Sequence, residues 1–375
     1  MRRTPALIVG GGPAGATAAI LLARAGLPHL LIERTRETGD ALCGGFLSWR
    51  SLETLAKLGV EADSLNPALV TRVRIFAGDR FAEAELPHPA IGVSRRRLDS
   101  LLIARALAEG AAIETGVTAK AFEDGAVRTG DGASISADAL FLATGKHELR
   151  GLARPAFKAT DPALGLRIRI GPAPRLAQAI GEMIELHLFD RGYAGIVLQE
   201  DGTANVCMAV HRSRLDEAGD PEKLLEALAR ESPRLSERLA YRASGTPIDA
   251  VANVPYGWRA RAGIAGHFRL GDQAAVIPSL AGEGMGIAIG SAARAVKAYR
   301  NGGPMAGPRF QRDLCLELAR PMSVAGGIRS AAEAPNVAPG GVALLHYLPF
   351  LIDGLARLTR IGESPVDDSP PNHDI

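Results

Sequence analysis

Apolar positions gather into short runs from the start of the chain. Ala6-Leu7-Ile8-Val9 has strand length, Ala16 to Ala25 has the small-residue pattern of a helix ending at Gly26, and His29-Leu30-Leu31-Ile32 predicts a second strand. Trp49 to Leu58 reads as a helix with Leu52, Leu55 and Leu58 on one side and Ser48 as N-cap. Val70 to Phe76 alternates, Ala77-Gly78-Asp79 turns, and Phe81 to Leu86 returns, a hairpin with one wet face. Ser94 to Glu109 is an amphipathic helix carrying Leu98, Leu101, Leu102 and Ala106. Short strands follow at Ala112 to Glu114, Val117 to Phe122, Ala126 to Thr129 and Ala137 to Leu142.

The pattern changes in the middle. Leu166 to Ile170, Met183 to Phe189, Gly195 to Leu198 and Ala204 to Val210 predict an antiparallel sheet whose faces are not both apolar. Helices are expected over Pro221 to Glu231 and Pro233 to Ala240. The chain then returns to a strand over Ile264 to Leu270 ending in Gly271-Asp272, a loop from Pro278 to Gly282, and a long small-residue helix from Gly284 to about Tyr299. Val342 to Ile361 places Leu344, Leu345, Leu348, Leu351, Leu355 and Leu358 near helical spacing, with Pro349 as a kink or break. Its two readings are a helix covering the substrate domain and an interfacial helix touching a membrane. Glu363 to Ile375 is a polar tail expected to be flexible.

These runs predict an α/β fold: a discontinuous Rossmann-like domain (1–69, 90–160, 258–330), an antiparallel-sheet substrate domain (70–89, 161–257) and a helical C-terminal segment with a tail (331–375). Between the first two strands lies Gly10-Gly11-Gly12-Pro13-Ala14-Gly15, and Glu33 ends the second. Strand, Gly-x-Gly-x-x-Gly turn, helix, strand and acidic residue make a dinucleotide fingerprint. Gly10 permits the tight turn, Gly12 lets backbone approach a pyrophosphate, and Gly15 lets helix and strand pack. The pyrophosphate belongs at the helix N-terminus, and Glu33 accepts from a ribose hydroxyl pair.

Composition narrows the classes. Hydrophobic residues make up 47% and charged residues 22% of 375 residues, the values of a folded chain. A formal charge of +2 offers no basic field for nucleic acid. Cys43, Cys207 and Cys315 are too scattered for a disulfide framework or a metal site. Met1-Arg2-Arg3-Thr4 runs straight into the first strand, and no apolar run reaches the roughly 18 residues of a membrane span. A cytoplasmic protein, at most peripheral to a membrane, is expected.

The Gly10 to Gly15 turn with Glu33-Arg34, Arg95 four residues before Asp99, and Gly271-Asp272 followed by Pro278 and Gly284 resemble FAD-binding oxidoreductases of the p-hydroxybenzoate-hydroxylase-like fold. Cys43-x-Gly45-x-x-Ser48 and Tyr193-Ala194-Gly195-Ile196-Val197 are similar to segments of the geranylgeranyl reductase family within it. That family's Trp, Phe and Pro positions are here Gly195, Val197 and Leu198, and its Ala-Asp-Gly turn is replaced by Ala143-Thr144-Gly145-Lys146-His147. The resemblance spans roughly residues 5 to 300 and implies non-covalent FAD, reduced by NAD(P)H or another external donor.

It assigns the cofactor set Gly10, Gly12, Pro13, Ala14, Gly15, Glu33, Arg34, Cys43, Gly44, Arg95, Gly271, Asp272, Gly284, Met285 and Gly286, and no metal ligand. Asp272 suits a ribityl hydroxyl, or a turn cap. Gly284, Met285 and Gly286 at a helix start aim N–H groups at the flavin edge and leave room for its planar ring. Tyr193 and Gly195 are assigned to substrate. Cys43 is either a buried small hydrophobe or a catalytic residue at the flavin face, and Ser48 a cap rather than a catalyst. His147 is a candidate general acid or base. The implied activity is FAD-dependent oxidoreduction of a large hydrophobic substrate, by ring hydroxylation or by C=C reduction. A non-catalytic flavin-binding regulator or scaffold is the alternative.

Overall fold

The structure, a computed structural model, describes residues 2–155 and 159–366, so residues 367–375 of the expected tail lie outside the described residues. The first half alternates strand and helix: β1 (Arg2–Val9), α1 (Pro13–Arg24), β2 (His29–Glu33), β3 (Phe46–Leu47), α2 (Trp49–Lys57), α3 (Ala62–Leu65), β4 (Leu69–Ala77), β5 (Arg80–Gly92), α4 (Arg95–Ala108), β6 (Ile113–Thr115), β7 (Ala119–Glu123), β8 (Ala126–Thr129) and β9 (Ser134–Leu142). The middle holds β10 (Ala163–Ile170), α5 (Pro174–Ile180), β11 (Met183–Phe189), β12 (Gly192–Leu198), β13 (Ala204–His211), α6 (Arg212–Ala218), α7 (Pro221–Glu231), α8 (Pro233–Leu239) and β14 (Asp249–Val254). The remainder comprises β15 (His267–Arg269), α9 (Gly284–Gly302), α10 (Gly307–Glu317), α11 (Ala319–Ala332), α12 (Ala338–Tyr347) and α13 (Phe350–Leu358).

One sheet has the order β6-β2-β1-β9-β8-β7, with β15 added beside β9. Strands β6, β2, β1, β9 and β15 pair in parallel. Their alternate residues are buried on both sides, as helix-covered parallel strands require. Ala6, Ile8, Leu31, Phe141 and Phe268 share a core with α1, α4 and α9, while Leu7, Val9, Leu30, Ile32 and Leu140 face Val127 and Leu149. The strand expected over 264–270 is only His267–Arg269, because the chain before it turns at Gly266.

The second sheet has the order β14-β10-β13-β12-β11-β4-β5-β3. It is antiparallel as expected except between β11 and β4, which run parallel. Helix α5, unexpected from the sequence, carries the chain from β10 across to that position. As expected, the faces are not both apolar: the side turned from the helices carries Arg167, Arg169 and Asn205. Both faces are nonetheless covered, and seven of the eight β10 residues, Arg167 among them, are buried. On the helix side Ala194, Ile196, Val206 and Val210 pack with Leu224, Leu228 and Leu235.

That layer also encloses a carboxylate. Glu185 is fully buried and accepts two hydrogen bonds from Arg238, both at 2.9 Å, with Arg74 at 3.2 Å and His187 at 3.4 Å. Burial alone would raise its pKa, but the His187 and Arg238 hydrogen bonds outweigh that and lower it to about 2.

The C-terminal segment is two helices rather than one. Helices α12 and α13 meet at 114° across Leu348-Pro349, and both pack on β5. No single helix among the described residues is long and apolar enough to cross a membrane.

Candidate functional site

Loops at the C-terminal ends of β1, β2 and β9 meet the face of the second sheet around a cavity of about 910 Å³. The first of these loops is the glycine turn. A Cβ on Gly10 would lie 2.5 Å from Ala143 O, and one on Gly15 only 1.8 Å from Gly10 O, so both glycines are demanded by packing. Gly12 differs, since its Cβ would meet only the end of Arg95, at 3.0 Å. Its missing side chain keeps cavity space open at the start of α1, where free N–H groups favour an anion. Pro13 and Ala14 line the same space.

Glu33 ends β2 at the rim. Its Oε2 accepts from Gly11 N at 2.7 Å and its Oε1 from Thr35 N and Oγ1, each at 2.9 Å. Arg95 donates twice to Asp99, at 2.9 and 2.7 Å. Burial pulls the Arg95 pKa down, but the charge and hydrogen bonds of Asp99 outweigh it and hold the guanidinium protonated. Its Nη1 carries no hydrogen bond among the described residues and remains available to a phosphate beside Gly12. Gly271, at φ +54°, anchors its N–H on Ser291 Oγ at 2.9 Å. Asp272 then faces the cavity and pairs with Lys146 Nζ at 3.3 Å. The Asp272 charge is the main cause holding Lys146 above its ordinary pKa.

Three sequence-derived assignments change, and one residue joins the site. His147 accepts a hydrogen bond from Arg34 at Nε2, 2.8 Å away, and stands beside Arg34 and Glu33 at the rim. Desolvation first, then Arg34 and Lys146, lower its pKa. A ring whose lone pair already takes an arginine proton is poorly placed as acid or base. Gly284 does face open cavity, with nothing within 4 Å of its would-be Cβ. Gly286, however, turns to the other side of α9, where a Cβ would lie 2.5 Å from Glu283 Oε1. Ser48 occupies the N-cap position of α2 without a side-chain cap bond, its hydroxyl going to Glu283 at 3.2 Å. Cys207, which no motif marks, lines the cavity with Cys43. Burial first, then Cys43, push its thiol up to about 12.

Strands β12 and β13 form the wall opposite the glycine turn. Tyr193, Gly195 and Val197 alternate onto that face, and Asn205 donates to Cys43 O at 3.0 Å and Gly44 O at 2.9 Å. Asp40 ties the same loop to β10, accepting from Arg167 at 2.9 Å and from Arg169. Cys43 is therefore a half-buried wall residue of the cavity that also packs against the first sheet's core. Ile184, Leu186, Val197, Val251, Val276 and Leu280 make the surroundings apolar.

Within them Tyr193 and Tyr256 both hydrogen-bond to Ser279 Oγ, the latter at 2.7 Å. Three hydroxyls bring three protons, and these two contacts use two. One donor is left for a ligand oxygen. Burial raises both phenol pKa values, so the hydroxyls stay neutral donors. Sequence reasoning missed Tyr256 and Ser279. Ser279 could have been found from its place five residues before Gly284, whereas nothing in the sequence marks Tyr256.

The site's glycines, the free Arg95 nitrogen, Glu33 and the open space before α9 fit a dinucleotide with a planar ring inside. Residues 3–150 match the family described as an FAD binding domain. Digeranylgeranylglycerophospholipid reductase 2 of Methanopyrus kandleri is 26% identical over 301 residues, covering 74% of this chain and 72% of that protein. The crystal structure of PqsL, a probable FAD-dependent monooxygenase from Pseudomonas aeruginosa, superposes with a TM-score of 0.74 at 18% identity over 90% of this chain and 99% of that one. A geranylgeranyl bacteriochlorophyll reductase-like structure from Thermoplasma acidophilum gives 0.71 at 20% identity, covering 92% of each chain. The chain carries an FAD-binding domain over residues 3–150 and is an FAD-dependent oxidoreductase, similar over most of its length to the Methanopyrus kandleri reductase.

Proposed function

We propose that the protein reduces a C=C bond of a large apolar, isoprenoid-like substrate that carries an oxygen at one end. The observation behind this is the inner end of the cavity, where Ile184, Leu186, Val197, Val251, Val276 and Leu280 surround the hydroxyl cluster of Tyr193, Ser279 and Tyr256. Bound FAD supplies the two-electron hydride chemistry. Gly12, the N-terminal amides of α1 and Arg95 Nη1 would bind its pyrophosphate, Glu33 its ribose, Asp272 its ribityl chain, and Gly284 and Met285 its ring edge. The apolar wall excludes water and orients the substrate, and the free hydroxyl proton fixes its oxygen. Similarity to the Methanopyrus kandleri reductase over most of the chain supports reduction over other flavin chemistry. The electrons for reduction would come from NAD(P)H or another external donor.

A second reading, hydroxylation of a phenolic ring, is favoured by the same hydroxyl cluster, which suits a phenol oxygen equally well. Anaerobic and aerobic turnover of the reduced holoprotein against polyprenyl and polyphenol panels separates the two. Reduction adds two hydrogens without air, and hydroxylation adds one oxygen only with air. No mass change on any panel member sinks both.

The corner between α12 and α13 is read as the contact with a lipid surface that delivers this substrate. Leu344, Tyr347 and Phe350 are 53%, 80% and 66% exposed there. Ile184 and Leu186, on the cavity wall, pack in the same apolar cluster as Leu345. Sedimentation with phosphatidylcholine–phosphatidylglycerol vesicles should fall on Phe350→Ser with Tyr347→Ser; unchanged binding removes this contact.

A further inference from the structure

Behind the ring end of the cavity sits a charge that no cofactor motif uses. Glu283 directly precedes α9 and is fully buried. Its carboxylate accepts from Arg360 Nη1 at 2.6 Å, Ile361 N at 3.2 Å and Ser48 Oγ at 3.2 Å. Arg360 follows α13, almost as buried, with its guanidinium 5.3 Å from the centre of the Trp49 ring. The same Nη1 also donates to Ala281 O at 2.8 Å. One guanidinium thus holds both the loop before α9 and the residue that starts the helix. Gly286 belongs to this arrangement, since any side chain there would displace the carboxylate.

A buried ion pair is a poor device for stability alone, because well-packed apolar residues serve as well or better. Its location gives it another use. The carboxylate lies at the positive end of α9, whose Gly284 and Met285 line the cavity. An unpaired anion there would cancel the helix-end potential that favours extra negative charge on a ring. Arg360 removes that effect.

We propose that Arg360 and Glu283 are a positioning and charge-compensating pair for the flavin edge, through which the segment after α13 sets the reduction potential of bound FAD. The inference rests on FAD occupying this cavity. It requires opposite signs from the two halves of the pair. Arg360→Gln leaves the carboxylate uncompensated, which should lower the midpoint potential and weaken FAD binding at least tenfold. Glu283→Gln leaves the guanidinium uncompensated and should raise the potential. The double variant should return close to wild type, and Arg360→Lys should stay near it, whatever happens to melting temperature.

Midpoint potentials of the FAD-loaded variants, measured by dye equilibration beside FAD titrations and melting curves, test this. Wild-type potentials in both single variants, with only melting temperature lowered, overturn it and leave the pair purely structural. Should Arg360→Gln fail to fold, Glu283→Gln against the double variant still decides, since equal potentials refute the pair. A wild-type protein that takes up no FAD would instead overturn the FAD reading itself, and this proposal with it.

Discussion

The two ends of the cavity are built on different principles. At the nucleotide end the work is done by backbone, and the informative side chains are missing ones, at Gly10, Gly12, Gly15 and Gly284. At the inner end it is done by side chains that converge from distant places: Tyr193 on β12, Cys207 on β13, Tyr256 after β14 and Ser279 before α9. Backbone-built sites need particular residues at fixed spacing, so they leave a sequence signature. Side-chain convergence does not, because the spacing is set by the fold rather than by neighbours in the chain.

The largest effects should come from the glycine turn, and they should differ within it. Gly12→Val should abolish FAD uptake while leaving melting nearly unchanged, because its side chain would enter cavity space. Gly15→Val should prevent folding, because its Cβ would overlap Gly10 O. Equal melting losses in both variants would erase the distinction between ligand-driven and packing-driven glycines.

Legibility of the sequence followed the same division. The fingerprint, Glu33 and Asp272 were readable because each sits where a strand hands over to a turn, and the long α9 because its small-residue pattern runs on unbroken from Gly284. The discontinuity of the first sheet was readable because β15 repeats its apolar pattern. Helices α5, α10 and α11 were not, since their apolar residues are few and lie near prolines and glycines. The parallel β11–β4 pair was hidden because alternation looks alike in either direction. Gly286 was assigned to the ring although its constraint is Glu283, a contact that no local pattern records.

Next in size is the buried carboxylate of the second sheet. The Glu185 pKa is lowered from 4.5 to about 2, so the stability it contributes is present above pH 4.5. That stability is lost as pH falls from 4.5 toward 2, and is on the order of 3 kcal/mol. Glu185→Gln should cost about 3–5 kcal/mol at pH 7 by leaving Arg238 buried without its partner. It should also flatten the acid limb of a pH-dependent denaturation series, and an unchanged limb would show that other carboxylates carry it. FAD affinity of the folded fraction should not change, since this cluster lies away from the cavity.

Asp272→Ala should weaken FAD about ten- to a hundred-fold, the loss of a charged hydrogen bond of roughly 1.5–3 kcal/mol, with little effect on melting. Unchanged affinity in a titration of apo-protein would reduce Asp272 to a partner for Lys146. At the inner end the pattern should reverse. Tyr193→Phe removes one neutral hydroxyl, worth about 0.5–1.5 kcal/mol, so kcat/KM should drop roughly tenfold or less while FAD affinity holds. A fall in FAD affinity equal to the fall in turnover would merge the two ends into one.

The smallest expected effects concern the thiols. Cys43→Ala and Cys207→Ala should each alter the flavin absorbance or reoxidation rate, because both line the cavity. Cys315→Ala should change melting alone. Identical behaviour of all three would remove Cys43 and Cys207 from the ring's surroundings.

The central claim is that one cavity brings FAD and an apolar substrate together for reaction. The direct measurement follows flavin absorbance after anaerobic reduction of the holoprotein, first with a polyprenyl or polyphenol substrate and then on admitting air. The substrate should matter: it reoxidises the flavin without oxygen, or it becomes oxygenated as air does so. A flavin whose reoxidation is the same with and without every apolar substrate, with all substrates recovered unchanged, would contradict the account and leave a flavin-binding protein without turnover.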